Sequence, residues 1–251
     1  MRVRDDPLHP DPGFADLYAA LPEAEDLWPW LDWCLDAEQP VLYLGIGAGR
    51  LAAPLARAGA RFVGVDAHPG MLAYARDRLP GVELHQELIA DLDLEDRFDL
   101  VIGPSGILTS DANLAAAARH ARPGGRIGME LTNPGWVLGG DHEGVRLDDR
   151  GVLEVDYRLP DGSVVVQEVE GWRPGPAPAD AQERLEKFGL ELLWIDGRPG
   201  LTLEESPTYY VLAGLSSMPE TPPTRGGASR SGHPGGAGRQ APRPRPPGPR
   251  R

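Results

Sequence analysis

The chain has 251 residues, is 41% hydrophobic and carries a formal charge of −13. That is enough for one large domain or two small ones around an ordinary globular core. Cys34 is the only cysteine, which excludes an intrachain disulfide and suits a reducing compartment. The charge is uneven: no acidic residue follows Glu220, but seven arginines do, which leaves the first 220 residues at −20. So acidic a body disfavours nucleic acid as substrate, because phosphate binding rests on Lys and Arg, and Lys187 is the only lysine. No stretch approaches the roughly 20 apolar residues of a membrane span, and MRVRDDPLHPDPGF carries no signal-peptide core. The expected location is cytoplasmic.

Residues 1–13, rich in proline and aspartate, read as loose. FADLYAAL at 14–21 reads as a short helix. From Glu23, Leu27, Trp30, Leu31, Cys34 and Leu35 recur at helical spacing, with Pro29 as a kink. This helix either faces the core or forms a lid in which Tyr18 or Trp30 touches ligand.

VLYLGIGAGR at 41–50 is a short apolar strand followed by Gly45, Gly47 and Gly49. Helix formers at 51–58 follow, ending at Gly59. Strand, glycine turn and helix make a nucleotide-binding first crossover. Glycine lets backbone approach a ligand closely, and free N–H groups at a helix start favour polar or anionic atoms. The crossover returns through ARFVGVD, with Asp66 at the carboxyl end of the second strand. Asp66 can accept bonds from both ribose hydroxyls or cap the helix that follows, a task for which His68 is better placed.

Further strands fit 82–86 and 98–102, a helix 111–121, a Pro-Gly-Gly turn 123–125 and a fifth strand 126–131. Strands alternating with helices argue for a parallel sheet. The pattern changes over 132–177, where 152–159 and 163–172 read as a hairpin around Pro160-Asp161-Gly162, an antiparallel cap insertion. Helix returns at 177–188, followed by strands at 190–195 and 208–215. Residues 216–251 are low-complexity and cannot bury a core, so the expected main domain is 14–215. The tail is either unstructured without a specific role or a basic tether.

VLYLGIGAGR, GVDAHPGML, RFDLVI and RPGGRIGMEL, in order and suitably spaced, resemble the class I S-adenosylmethionine-dependent methyltransferases. The resemblance covers roughly residues 14–215. It implies an α/β fold with a doubly wound, seven-stranded, mostly parallel sheet, a reversed edge hairpin and a small antiparallel cap. Dinucleotide-binding dehydrogenases are the nearest rival, but their third glycine would stand at Arg50. The cap and FADLYAAL are similar to small-molecule enzymes that methylate glycine and sugar amines.

The implied cofactor is S-adenosylmethionine. Gly45, Gly47 and Gly49 would line its methionine part and Asp66 would hold the ribose. Ala67 and His68 would lie beside the adenosine, and Met71 on the adenine face. Backbone of Ile89 or Ala90, with Asp91 displaced, would serve adenine, because the usual carboxylate is missing near Leu88. Tyr18 would reach the cofactor, and Pro104 and Ser105 would floor the transfer site. Tyr43 stands where the family commonly has an acidic residue.

On the substrate side, His142 suits a general base by its residue type, or is a solvated loop histidine. Tyr157 on a cap strand is the second catalytic candidate. Ser105, Asn133 and Trp136 are substrate-binding candidates near strand ends, with core packing the other reading of Trp136. Arg50 either binds a carboxylate or is a surface arginine. Asp141, His142 and Glu143 match no metal template, so no metal is expected. The expected reaction is methyl transfer to a small molecule, with nitrogen ahead of oxygen as acceptor. Cofactor binding without transfer is the alternative. The expected partner is that substrate, with neither nucleic acid nor membrane, and a homodimer left open.

Overall fold

The structure, a computed structural model, describes residues 1–140, 142–170 and 172–216. Asp141 and the basic tail with His233 lie outside these. In chain order the elements are β1 (Arg2–Arg4), α1 (Pro12–Ala20), α2 (Trp30–Leu35), β2 (Val41–Leu44), α3 (Ala52–Arg57), β3 (Phe62–Asp66), α4 (Pro69–Arg78) and β4 (Glu83–Gln86). Then come β5 (Phe98–Gly103), α5 (Asp111–His120), β6 (Ala121–Thr132), α6 (Pro134–Leu138), β7 (Val145–Leu147), β8 (Leu153–Arg158), β9 (Val164–Val169), α7 (Ala181–Glu186), β10 (Leu190–Gly197) and β11 (Thr208–Leu215).

Seven strands form the main sheet in the order β10-β11-β6-β5-β2-β3-β4. Neighbours from β6 to β4 are parallel, whereas β11 runs antiparallel to both β6 and β10. The chain moves outward from β2 to β4, then returns to β5 on the other side. The switch point therefore lies between β2 and β5, and ligands collect outside the carboxyl ends of such strands. Alternate residues divide two cores, as burial on both faces requires. Leu42, Val101, Ile127 and Val211 pack under Leu114 and Ala117 of α5 and Leu185 of α7. Val41, Tyr43, Ile102 and Tyr210 pack under Trp30 and Cys34 of α2, Leu55 of α3 and Leu72 of α4.

A second, smaller sheet has the order β1-β9-β8-β7. Its hairpin turns through Gly162, whose φ is +84°, while Ser163 N–H donates to Asp161 Oδ1 at 2.9 Å. Residues 1–13 read as loose in the sequence, yet β1 adds to this layer, parallel to β9. Three alternating residues carry too weak a pattern to identify a strand whose partner lies about 160 positions away.

Two other segments differ from the sequence expectation. The helix expected from Glu23 begins only at Trp30, with Pro29 at its N-cap; proline has no N–H and clashes with a preceding turn. The Pro-Gly-Gly turn lies inside β6 as an irregularity, because the β5–β6 register shifts between Phe98 and Leu100.

Candidate functional site

All three glycines of the turn after β2 have left-handed φ: +70° at Gly45, +56° at Gly47 and +79° at Gly49. Side-chain-bearing residues rarely adopt this conformation, which is why glycine recurs. A Cβ at Gly45 would meet Ile107 at 3.0 Å and one at Gly49 would meet Leu79 at 3.2 Å. At Gly47 it would meet nothing within 4 Å. Two of the glycines thus answer to packing, and the middle one faces open space.

Asp66 is wired into that turn. Its Oδ2 accepts from Gly47 N–H and its Oδ1 from His68 N–H, both at 2.8 Å. A carboxylate has about four lone-pair sites, so acceptor capacity remains for a ligand hydroxyl. Burial raises the Asp66 pKa against the lowering by these two bonds. The helix-capping role falls to His68, as its position suggests: its Nδ1 accepts from Gly70 N–H and Met71 N–H. Its Nε2 therefore donates, to Asp11 C=O at 2.9 Å. His68 is 7% exposed and Met71 3%, the latter among Phe14, Leu17 and Ala48.

A roof closes over this turn. Arg78 of α4 donates to Ala19 C=O of α1 and to Ala48 C=O of the turn. α1 thereby carries Tyr18, whose hydroxyl lies 3.2 Å from that of Tyr157 on β8. Tyr18 also donates to Gln167 Oε1 on β9 at 3.3 Å, and Gln167 Nε2 donates to Asp5 Oδ2 at 3.2 Å. The Arg50 guanidinium sits 5.8 Å from the Tyr18 ring centroid while its Nε donates to Pro22 C=O. Burial first, then Tyr157, pushes the Tyr18 phenol well up, and burial raises that of Tyr157. Both are neutral hydrogen-bonding groups near pH 7. Burial, then the Asp66 charge, raises Asp5. The sequence reading selected Tyr18 and Tyr157 but passed over Asp5 and Gln167; the alternation of VVVQEV was the one signal that could have pointed inward at Gln167.

The remaining candidates separate. Ile89 and Ala90 lie in a 3-10 turn after β4, where Ile89 is buried and Asp91 exposed. Ala67 is half-buried beside Asp66 and Pro104 is buried after β5. Ser105 follows with φ +56° and donates its N–H to Glu130 Oε2 at 2.9 Å. Left-handed backbone at a non-glycine residue is characteristic of functional loops. Tyr43, at the position of the expected acid, is buried core, its ring 5.8 Å from that of Phe62.

Asn133 differs from the free substrate group expected. Its Oδ1 caps α6 through Gly135 N–H, and its Nδ2 donates to Leu203 C=O and Ser206 C=O. The amide is spent on joining α6 to the β10–β11 loop. His142 and Trp136 do meet, with rings stacked at 3.4 Å and 11°. His142 Nε2 donates to Trp136 C=O at 2.6 Å, which leaves only Nδ1 for other work. A surface groove lined by Thr109, Pro176, Glu183 and Lys187 shares none of these residues.

A doubly wound sheet with its glycine turn at the switch point, a carboxylate wired to that turn and an antiparallel edge hairpin defines the class I S-adenosylmethionine-dependent methyltransferase fold. Residues 41–125 match the family described as methyltransferase domain. A curated relative, dTDP-3-amino-3,4,6-trideoxy-alpha-D-glucopyranose N,N-dimethyltransferase of Streptomyces venezuelae, is 32% identical over 119 residues. That match covers 42% of this chain and 49% of the relative, so the chain spans about half the length of the curated relative it matches.

Among solved structures, an S-adenosylmethionine-dependent methyltransferase from Clostridium acetobutylicum shares the fold with a TM-score of 0.63 at 17% identity, over 81% of this chain and 98% of its own. CalS10, an amino pentose methyltransferase from Micromonospora echinaspora solved with S-adenosylmethionine bound, gives 0.56 at 21%, over 81% and 97%. Among the described residues, no helix is long and apolar enough to cross a membrane.

Proposed function

We propose that the protein is an S-adenosylmethionine-dependent methyltransferase acting on the amino group of a small, sugar-like molecule in the cytoplasm. The carrying observation is the bond from Gly47 N–H to Asp66 Oδ2 at 2.8 Å. It joins a turn with open space at its middle glycine to a carboxylate with spare acceptor capacity. These residues fit the cofactor: the open face of the glycine turn at Gly47 would lie against the methionine part, Asp66 would hold the ribose, and backbone at Ile89 and Ala90 would serve adenine. The bound cofactor supplies an activated methyl on a sulfonium.

What remains for the chain is alignment. Holding the acceptor in line is worth roughly 7–11 kcal/mol of barrier in well-oriented systems. Tyr18, Tyr157 and Gln167 form one hydrogen-bonded roof that can orient the acceptor. The preference for nitrogen draws on the roof, whose two phenols are not ready bases. Both phenols are held neutral by burial. A neutral amine needs no strong base, whereas a hydroxyl usually does. The name of the curated relative points to amino sugars as the acceptor class.

Calorimetry with S-adenosylhomocysteine tests the first half of this reading; the absence of micromolar binding would sink it. Turnover with S-adenosylmethionine on matched amines, phenols and alcohols tests the second. Transfer confined to hydroxyls would reverse the nitrogen preference. Cofactor affinity without turnover on any of these acceptors would identify a binding protein instead.

A further inference from the structure

Beyond anchoring Ser105, the carboxylate of Glu130 has no part in the site described above. It stands at the carboxyl end of β6, directly opposite Tyr210 of β11 in the ladder. It shares the face of the sheet that carries Tyr43 and Ile102, because Gly128, two residues earlier, pairs with Ile102. The loop after β5 is folded onto it twice: Ser105 N–H donates to its Oε2 at 2.9 Å and Gly106 N–H to its C=O at 3.0 Å. Both loop residues are left-handed, with φ of +56° and +75°.

Glu130 is half-buried. Among the described residues its Oε1 accepts no hydrogen bond, and no arginine, lysine or histidine pairs with it. This is unusual in a chain whose other half-buried carboxylates on the cap, such as Glu154 and Asp156, are paired with arginines. A carboxylate withdrawn from water normally acquires a cation.

Tyr210 stands beside it, with Trp28 and Trp30 at centroid distances of 5.2 and 5.9 Å from that ring. Aromatic walls favour cations further. The Glu130 charge also reaches the roof: after burial, it helps to raise the phenols of Tyr43, Tyr210 and Tyr157. β6 is separated from the glycine-turn strand β2 by β5. That places Glu130 on the acceptor side of the floor, one strand beyond the backbone expected to hold the cofactor's methionine part.

We infer that Glu130 is the group that selects amine-bearing acceptors, its free Oε1 accepting from the acceptor's amino group while Ser105 N–H fixes Oε2. The inference rests on the methyltransferase reading for what lies beside it. Its chemistry, a carboxylate recognising an amine that arrives as the ammonium, against an aromatic wall, stands on the geometry alone; the ammonium gives up one proton, to Oε1 or to water, before its nitrogen lone pair can accept methyl.

The test is calorimetry with glucosamine and N-acetylglucosamine, the second lacking the cation, on the full chain saturated with S-adenosylhomocysteine. The wild type is expected to bind glucosamine about tenfold or more tightly than N-acetylglucosamine, the range of a charge-assisted hydrogen bond. Glu130→Gln keeps an acceptor for Ser105 and should lose this preference while holding S-adenosylhomocysteine within about twofold. Equal binding of the two sugars by the wild type, or a preference that persists in Glu130→Gln, overturns the inference. So does a Glu130→Gln variant that loses cofactor affinity, which would move the carboxylate to the cofactor's own amino group. If the wild type binds no S-adenosylhomocysteine, the cofactor reading fails, and the same sugar comparison on the unliganded chain decides the role of Glu130 separately.

Discussion

Replacing Gly47 with leucine separates conformational strain from ligand exclusion. Gly47 has φ +56° and nothing within 4 Å of where a Cβ would stand. Gly81, in the turn before β4, has φ +85° and equally open surroundings. It lies at the amino end of its strand, opposite the ligand side of the sheet. The backbone cost of a left-handed side-chain-bearing residue is about 1–2 kcal/mol. In a domain of this size that lowers the melting temperature by about 2–8 °C, and the two variants should share the penalty.

Only Gly47→Leu fills the space that the turn and Asp66 enclose. Its affinity for S-adenosylhomocysteine should fall at least about 100-fold, or about 2.7 kcal/mol, while Gly81→Leu keeps the wild-type value. Differential scanning fluorimetry and calorimetry on the three proteins read both quantities. If Gly47→Leu binds within about threefold of Gly81→Leu, the open space at Gly47 is not the cofactor site and the placement argued above is wrong.

Other outcomes follow from titratable and hydrogen-bonding side chains. Burial and the neighbouring Asp66 charge raise the Asp5 carboxyl above its unfolded value. The stability tied to its bound proton is thus present below the ordinary aspartate range and lost as pH rises through the raised value. Asp5→Asn should therefore melt higher than wild type at pH 7, with the gain vanishing toward acid pH; a gain that grows on acidification contradicts the assignment. Cys34 is 3% exposed and its thiol is pushed up to about 12 by burial. It should resist a disulfide reagent in the native protein at pH 8 and react once in denaturant. Asn133→Ala removes a helix cap and strands two carbonyls, a loss of about 2–4 kcal/mol by urea unfolding. Unchanged stability with lost turnover would instead make Asn133 a substrate group.

Much of the main sheet could be read locally. Short, mostly apolar runs located β2, β3 and β5, because strands buried on both faces read as near-continuous apolar stretches. GIGAGR was readable as a tight left-handed turn, because glycine takes that conformation without steric cost. His68 was readable as a cap from Pro69 after it.

What depended on distant partners was not readable. β1 is a strand only because β9 offers it an edge. Gln167 and Asp5 join Tyr18 only because three elements far apart in sequence converge over the turn. Asn133 sits at a strand end like any ligand group, and its amide is spent only because Leu203 and Ser206 fold back to it. Nothing in RIGMEL marks Glu130, which reads there as one polar residue near the end of an apolar strand. Its free oxygen, its strained neighbour Ser105 and its aromatic wall exist only once β5 and β11 flank β6. Local chemistry dictated the turn and its carboxylate, since φ preference and periodicity act within a few residues. Which polar groups were left unpaired, and so free to act, was decided by tertiary structure, because pairing is a property of neighbours that the sequence does not place side by side.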